Sequence, residues 1–284
     1  MSDLKKLTLG QRLFVALQYI LPHHLLSAIM RGITRISWKP FKNKFIKQFI
    51  KLYQVDMDLA IKTKATDFNH FNDFFTRKLK PESRPLDKTK NTILSPVDGA
   101  VSEFGKIESS TLMQAKGIQY SLSDLLDGNQ QQIEKFKEGY FLTIYLSPKD
   151  YHRIHMPIAG KLSALNFIKG RLFSVNTTTT RLVPRLFARN ERLLNLFDTE
   201  AGNMALIMVG AIFVSSMQTV YNGVANQKNS QINTEVSLNA GQEMGRFNMG
   251  STVILLFEKD KITWSEMLEI GKTVKMGEKI GVLK

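Results

Sequence analysis

From residue 94 onward the apolar residues come in short runs separated by turn signals, and this texture limits the fold more than any other sequence feature. Short apolar runs bounded by Gly-containing turns are typical of strands. Two helices are expected among them, near 123–126 and over 185–196. The predicted fold class is α+β, with helices first and a strand-rich body after them. The predicted strands include 97–101, 140–146, 162–168, 204–214, 252–257 and 280–283.

The first part of the chain carries most of its net positive charge. The whole chain has 39 Lys and Arg against 25 Asp and Glu, and residues 1–52 hold ten of these bases with Asp3 as their single acid. Leu9, Leu13 and Leu17 recur at the spacing of one helix face, and Pro22 ends that helix. Further helices are expected over 25–36 and 41–52. We therefore predict a basic helical module over 1–66 and a catalytic body over 67–284.

The third helix of this module combines aromatic and basic residues. Phe45 and Phe49 share one stripe, with lysines on the opposite side. Basic amphipathic helices that carry aromatic residues suit an anionic membrane surface, and the alternative is a packed bundle with solvated lysines. Nucleic acid is not favoured, because the sequence contains no base-reading motif. The predicted membrane contacts are Phe45, Phe49, Lys42, Lys44, Lys47 and Lys51.

Several classes of protein and site are disfavoured by what the sequence lacks. It contains no cysteine, which excludes disulfide scaffolds, thiolate nucleophiles and Cys-based metal sites. The longest apolar run, 204–214, is shorter than the roughly 20 residues of a membrane-spanning helix, and residues 1–30 do not read as a signal peptide. The expected location is therefore peripheral, at the cytoplasmic face of the cell membrane. The sequence contains no complete phosphate-binding loop, dinucleotide-binding motif or nucleophile elbow.

Two of the five histidines lie together in a short polar block. His152 and His155 follow Asp150 within the segment 147–157. A hydrogen-bonded structural pair is one interpretation, and half of a zinc site is another, although no third ligand at suitable spacing is evident. General acid and base chemistry is favoured, because imidazole titrates near neutral pH. No metal is predicted.

A glycine directly precedes a serine at the mouth of a predicted strand. Gly250, Ser251 and Thr252 begin the run that continues to residue 257. The glycine permits backbone geometry in which the serine oxygen approaches the preceding carbonyl carbon. Taken alone, this triplet reads as an ordinary turn before a strand.

The blocks taken together resemble the phosphatidylserine decarboxylase proenzymes, in order and in approximate spacing. They are Ser-Pro-Val-Asp-Gly at 95–99, the block containing Tyr-His-Arg-Ile-His-Met-Pro at 145–157, Phe-Asp-Thr-Glu-Ala-Gly at 197–202 and Gly-Ser-Thr at 250–252. The histidine block is the most specific of them. The sequence departs from the family at Met249, where leucine is usual, and this change conserves volume and hydrophobicity.

The resemblance implies a pyruvoyl-dependent decarboxylase that makes phosphatidylethanolamine from phosphatidylserine. It implies self-cleavage between Gly250 and Ser251, which gives a large chain, 1–250, and a small chain, 251–284, with the pyruvoyl group at Ser251. In this hypothesis His155, oriented by Asp98, takes the proton of Ser251. His152 is the candidate acid in decarboxylation, with Asp150 as its orienter. A homodimer is also implied, and the expected partners are the lipid, the anionic membrane surface and the two chains themselves.

Two other classes of function are consistent with the residues. A Ser-His-Asp lipid hydrolase would use Ser251, His155 and Asp98 without cutting its own chain. A noncatalytic membrane-binding protein would explain the basic module but not the histidine block. Separately, segments 96–101 and 274–281 resemble strand-turn patterns of barrel-sandwich hybrid domains.

Overall fold

Three helices come first and the strand-rich part follows, which confirms the predicted α+β class. The structure, a computed structural model, describes residues 8–115, 117–213, 216–225, 236–249 and 251–284. The described helices are α1 (Leu9–Ile20), α2 (His23–Ile33), α3 (Lys39–Tyr53), α4 (Phe71–Phe75), α5 (Leu122–Leu125), α6 (Gln130–Phe136), α7 (Thr177–Leu182) and α8 (Leu186–Arg189).

The described strands form four antiparallel sheets. The largest has the order β12-β7-β8-β9-β14-β5-β2-β16, and the others have the orders β1-β17-β15, β11-β10-β13-β6 and β3-β4. The strands are β1 (Thr92–Leu94), β2 (Gly99–Lys106), β3 (Thr111–Ala115), β4 (Ile118–Ser121), β5 (Tyr140–Leu146), β6 (Arg153–His155), β7 (Gly160–Ile168), β8 (Arg192–Thr199), β9 (Gly202–Val209), β10 (Met217–Thr219), β11 (Gly223–Val224), β12 (Ser237–Leu238), β13 (Glu243–Phe247), β14 (Ser251–Phe257), β15 (Ile262–Trp264), β16 (Thr273–Val274) and β17 (Lys279–Leu283).

The large sheet is buried on both of its faces at the centre. Val253 and Leu255 of β14 enter one core cluster, whereas Ile254 and Leu256 enter a second cluster on the opposite face. A strand covered on both faces has no polar alternation, which explains its continuous apolar run. β14 pairs with β5 on one side and β9 on the other, so it is a central strand.

One predicted helix is wrong. The segment 185–196 contains only the short α8 and then enters β8, which pairs with β7 and β9. Residues 192–197 are all buried, so both faces of this strand are apolar or internally bonded. Periodicity alone does not distinguish such a strand from a buried helix.

The segments 96–101 and 274–281 lie against each other. Val274 of β16 pairs with Gly99 of β2, and the Gly277 N–H donates to the Ser95 carbonyl at 3.0 Å. Their likeness to barrel-sandwich hybrid domains stays a prediction.

The first two helices pack directly on the body. Val15 of α1 enters the second core cluster, and the Gln18 side chain accepts a hydrogen bond from the Ser174 N–H at 3.0 Å. His24 of α2 lies 3.0 Å from the Gly170 carbonyl oxygen. Among the described helices, none is by itself long and apolar enough to cross a membrane; α1 and α2 pass that test only as a pair, with a 91° bend between them.

The third helix packs through its aromatic stripe. Phe45 stacks on Phe71 with ring centroids 4.3 Å apart, and Phe49 makes edge contacts with Phe71, Phe74 and Phe75. This third cluster joins α3 to α4 and includes Met249 at its margin. The aromatic stripe is therefore mainly a packing surface.

Candidate active site

Three neighbouring strands bring the predicted site residues to one end of the large sheet. Asp98 immediately precedes β2, the segment 147–152 follows β5, and Ser251 is the first residue of β14. The register pairs Ser251 with Leu146 and Ala100 with Tyr145. Because adjacent strands lie about 4.8 Å apart, these positions fall within roughly 10 Å of one another across the sheet.

Close approach of β2 and β5 at this end requires a residue without a side chain. A Cβ atom placed on Gly99 would lie 2.5 Å from the Tyr145 carbonyl oxygen and 2.7 Å from a methyl carbon of Ile144. Gly99 therefore fixes the backbone position of Asp98 beside the end of β5.

A tight turn carries the chain from β5 to the histidines. The Asp150 N–H donates to the Ser147 carbonyl at 3.0 Å, and the Asp150 carboxylate accepts from the Ser147 N–H at 2.7 Å. Burial raises the pKa of the Asp150 carboxyl group, and its bonds to Ser147 oppose that rise. The carboxylate thus closes the turn.

His152 is fully buried and has one nitrogen without a hydrogen-bond partner among the described residues. Its Nδ1 lies 2.8 Å from the Asp150 carbonyl oxygen; a carbonyl only accepts, so Nδ1 carries the proton. Its ring lies 4.1 Å from that of Phe75. Burial lowers the pKa of His152 to about 3, so the ring is neutral and Nε2 holds a free lone pair.

Asp150 therefore orients His152 through its backbone carbonyl and not through its carboxylate. A neutral His152 must also take up a proton at Nε2 before it can act as an acid. His152 therefore accepts a proton at Nε2 before it can donate one.

His155 is held at both ring nitrogens. Nδ1 lies 2.8 Å from the Gly241 carbonyl oxygen and so carries the proton, and Nε2 lies 3.0 Å from the Tyr151 hydroxyl group. Burial lowers the pKa of His155; the hydrogen bond to Gly241 and the charge of Glu243 oppose this, and the charge of Asp98 adds a smaller effect in the same direction. A neutral imidazole with a basic Nε2 suits the predicted role of proton acceptor.

The predicted contact between Asp98 and His155 is absent from the described hydrogen bonds. The Asp98 carboxylate instead accepts two bonds from Arg84 Nε, at 2.8 and 3.1 Å, a further bond from Arg84 Nη2, and one from the Met276 N–H at 2.8 Å. Asp98 lies near His155 all the same, because the His155 N–H donates to the Pro96 carbonyl at 2.9 Å. Gly241, not Asp98, fixes the orientation of the His155 ring.

Sequence reasoning missed three polar residues of this site. They are Arg84, which holds Asp98; Tyr151, which holds His155; and Arg77, whose Nη2 donates to the Lys149 carbonyl at 2.8 Å. Arg77 is almost wholly buried, and burial lowers its pKa to about 10. Arg84 stands directly before Pro85 in a connector that otherwise lacked any chemical signal.

The cleavage site itself is only partly described. Gly250 lies outside the described residues, as does the side chain of Ser251, whose backbone begins β14. Met249 has a φ of 106°, a left-handed value that is costly for a residue with a Cβ atom. The backbone is thus strained one residue before the predicted cleavage site.

Two cavities flank the 147–151 turn. A polar cavity of about 200 Å³ is lined by Asp98, Asp150, Arg77 and Arg84, among others. A mainly apolar cavity of about 400 Å³ lies on the other side, between α1, α3 and the end of β5, and reaches Met249. Together they offer a polar compartment and an apolar one next to the start of β14, which suits an amphiphilic substrate.

The predicted membrane contacts divide into two groups. Lys44, Lys47 and Lys51 are exposed. Lys42, in contrast, is 4% exposed, and its Nζ donates to the Ala65 carbonyl at 3.3 Å. Phe45 and Phe49 are half-buried and pack in the aromatic cluster described above, which disfavours membrane contact by these two and Lys42; that contact stays a prediction.

Several exposed apolar side chains of the module lie on α1 and α2, although Trp38, Leu52 and Ile61 are exposed elsewhere in it. Ile20 is 78% exposed and Leu25 is 59% exposed. We call this surface the α1/α2 apolar face; it consists of Leu9, Leu13, Leu17, Ile20, Leu25 and Ile29.

No cluster of three or more His, Asp or Glu side chains that could hold a metal ion occurs within the described ranges. The titratable groups at the end of the sheet lie next to a polar cavity and an apolar one, an arrangement suited to an enzyme that moves protons on an amphiphilic substrate.

Comparison with known proteins identifies the family. A family model described as phosphatidylserine decarboxylase matches residues 71–282, and one described as PSD matches residues 13–54. The chain is 48% identical over 281 residues to the phosphatidylserine decarboxylase proenzyme of Pseudomonas fluorescens strain Pf-5, covering 96% of this chain and 98% of the relative. The proenzyme of Pseudomonas putida strain W619 is also 48% identical, over 280 residues, covering 95% of this chain and 98% of the relative. The chain belongs to the phosphatidylserine decarboxylase family and is an enzyme of the decarboxylase class.

Proposed function

We propose that the protein decarboxylates phosphatidylserine to phosphatidylethanolamine after cutting its own chain between Gly250 and Ser251. Its relatives are phosphatidylserine decarboxylase proenzymes by name. The observation that carries the proposal is that Asp98, the turn leading to His152 and the first residue of β14 lie at one end of the large sheet, while the His155 N–H is bonded to Pro96, two residues before Asp98. Cavities of opposite polarity on the two sides of the connecting turn support a phospholipid as substrate.

For self-cleavage, His155 takes the hydroxyl proton of Ser251, and the freed oxygen attacks the Gly250 carbonyl carbon. The peptide bond is replaced by an ester, which eliminates to free the large chain; hydrolysis of the resulting dehydroalanine releases ammonia and leaves a pyruvoyl group at residue 251. The neutral state of His155 and its basic Nε2 support this role. Asp98 acts by its charge, which favours the protonated ring, while Arg84 holds the carboxylate in place.

The pyruvoyl group supplies a carbonyl that withdraws electrons from the amine-bearing carbon of the substrate. The residues present fit such a group, because residue 251 begins a central strand paired with Leu146, where the turn toward His152 starts, and His152 Nε2 carries a buried lone pair without a partner among the described residues. His152 takes up a proton at Nε2 and later delivers it to the carbon that has lost carbon dioxide. Its orientation is kept throughout by the Asp150 carbonyl.

Intact mass measurement and decarboxylation assays test the proposal. Wild-type protein should give two chains with masses of 1–250 and 251–284, the second bearing a pyruvoyl terminus. Ser251→Ala and His155→Ala should stay uncut, whereas His152→Ala should be cut and decarboxylate poorly. Asp98→Asn should be cut slowly.

A single uncut wild-type chain that releases fatty acid from lipid would instead establish the hydrolase alternative. Cleavage of Ser251→Ala would overturn the assignment of the nucleophile, and full decarboxylation by cleaved His152→Ala would reject His152 as the acid.

We further propose a peripheral position at the cytoplasmic face of the membrane, with the α1/α2 apolar face inserted and the exposed lysines of α3 near anionic lipid. This revises the surface inferred from the sequence. The exposure of Ile20 and Leu25 supports it.

A further inference from the structure

A separate cavity of about 520 Å³ lies near the β2 edge of the large sheet. It is within the size range of ligand sites in proteins. Its walls come from β2, the β3-β4 hairpin, α7 and the loop before β16, and are contributed by Ala100, Met113, Ala115, Val175, Thr180 and Ile270 among others. None of the residues that the self-cleavage proposal uses lines it.

The carboxylate of a largely buried residue lines this otherwise mainly apolar cavity. Glu103 is 8% exposed and lines the cavity. In the described part of the chain, its carboxylate takes part in no hydrogen bond or ion pair. Burial raises the pKa of this group. An unpartnered carboxylate in an apolar setting is costly, and a merely structural position would be filled at lower cost by an apolar side chain.

A break in strand register places Glu103 there. β2 pairs Val101 with Ile144, and then Glu103 with Thr143, so the register shifts by one residue between Val101 and Glu103. In a regular strand, residues two apart share a face, and Glu103 would follow Val101. The bulge turns Glu103 to the opposite face, and bulges of this kind commonly aim a side chain at a binding site.

We propose that this cavity binds a ligand that carries a primary ammonium group on an apolar body, with the ammonium at Glu103. The positive ammonium group would pair with the Glu103 carboxylate, and the surrounding apolar side chains would pack against the apolar body of the ligand. Arg181 also lines the cavity and offers a place for an anionic group. The cavity shares Tyr145 and Val175 with the apolar cavity that reaches Met249, so the two sites are neighbours.

Two sources supply such an ammonium group: an aminophospholipid or a free amine. The choice of an aminophospholipid as a source rests on the proposed function. The ammonium site itself does not depend on it. Binding is therefore measured on the full-length Ser251→Ala chain, where no carbonyl can form at residue 251 whether or not the proposed maturation is right.

The test is isothermal titration of this chain with decylamine and with decanol, which share the apolar body and differ in charge. We expect decylamine to bind at least about tenfold more tightly, and Glu103→Gln to abolish the difference. Glu108→Gln, a change at an exposed carboxylate nearby, should retain it. Affinity for decylamine should fall as the pH is lowered and Glu103 becomes protonated, and this dependence should be absent in Glu103→Gln.

Ala115→Leu, which fills the cavity and leaves the carboxylate in place, should weaken binding of both compounds. Thermal unfolding of each variant identifies any loss of fold. Equal binding of decylamine and decanol, or unchanged binding by folded Glu103→Gln, would overturn the proposal.

Ethanolamine and short-chain phosphatidylethanolamine distinguish the two sources. Glu103-dependent binding of ethanolamine alone supports a free amine, and Glu103-dependent binding of only the short-chain lipid supports the aminophospholipid. If neither ethanolamine nor the short-chain lipid binds, and decylamine does not bind either, the proposed ammonium site is contradicted.

Discussion

His152 illustrates how burial decides the chemistry of a single side chain. Its pKa of about 3 in the folded protein lies below the value of 6.5 for an unperturbed histidine. Between these values the unfolded chain binds a proton that the folded protein does not. The free energy of unfolding should therefore fall as the pH drops, with the contribution of this residue fully present above about pH 6.5 and lost progressively toward pH 3.

We predict that wild-type protein loses about 2 kcal/mol more stability than His152→Gln between pH 7 and pH 5. Urea unfolding at the two pH values measures the difference. His24→Gln, a change at an exposed histidine, is the matched control and should follow wild type. If the free energy of unfolding falls equally with pH in wild type and in His152→Gln, His152 is not buried in the neutral form.

Arg84 and Asp98 form a buried ion pair, with side chains 10% and 8% exposed. Removal of one partner leaves the other charge buried, so Arg84→Gln should lower the free energy of unfolding by about 3 kcal/mol. The exposed pair between Lys62 and Asp73 provides the control, since Lys62→Gln should cost less than about 1 kcal/mol. Combining Arg84→Gln with Asp98→Asn should restore part of the loss, and strictly additive effects in denaturant titrations would refute the coupling.

At the scale of single elements, protein covers the aromatic stripe of α3, for which the sequence predicted membrane contact. The aromatic stripe of α3 packs against α4, while α1 exposes leucines. Leu13→Asp combined with Ile29→Asp should release the protein from anionic vesicles at nearly unchanged stability.

Phe49→Asp should unfold or strongly destabilise the protein, because a charge would enter the aromatic cluster.

Sedimentation with vesicles and thermal unfolding separate these outcomes. Val220→Asp, which changes an exposed apolar residue far along the chain, is the control and should still sediment. Undiminished sedimentation of the folded double variant on α1 and α2 would contradict the membrane surface proposed here.

The sequence predicts elements better than it predicts their partners. Helix α1 and strand β5 occupy the expected residues, because each has a clear apolar period and a defined end. The amphipathic period of α3 is also correct, but it does not tell whether protein or lipid covers the apolar stripe. In β8, burial on both faces removed the alternation that marks a strand.

The same limit applies to the site. The histidine block and Gly-Ser-Thr point to the right end of the sheet through their resemblance to a family. The hydrogen-bond partners come from distant segments: Arg84 from the connector, Gly241 from the loop before β13, and Met276 from the loop after β16. No local pattern records such contacts, so the sequence could not show that Arg84 and Met276 bind Asp98 while Gly241 binds His155.

At the scale of the whole molecule, the proposed cut would not divide the fold. The segment 251–284 contributes β14 to the centre of the large sheet and β17 to the centre of another, where it pairs with β1 and β15. The two chains should therefore stay together after cleavage. Size-exclusion chromatography should give one particle that contains both chains under native conditions, and two separate chains only in denaturant; a free small chain in native buffer would contradict this arrangement.

The place of residue 251 at the first position of a central strand has a consequence for the lifetime of the enzyme. In the proposed maturation, a prosthetic group made from that residue is part of the polypeptide, so it would not be lost by dialysis, exchanged with a cellular pool or replaced after damage. Each molecule would form the group once, at its own maturation. Reduction or chemical trapping of the group would inactivate that molecule permanently, and only newly synthesised protein would restore activity.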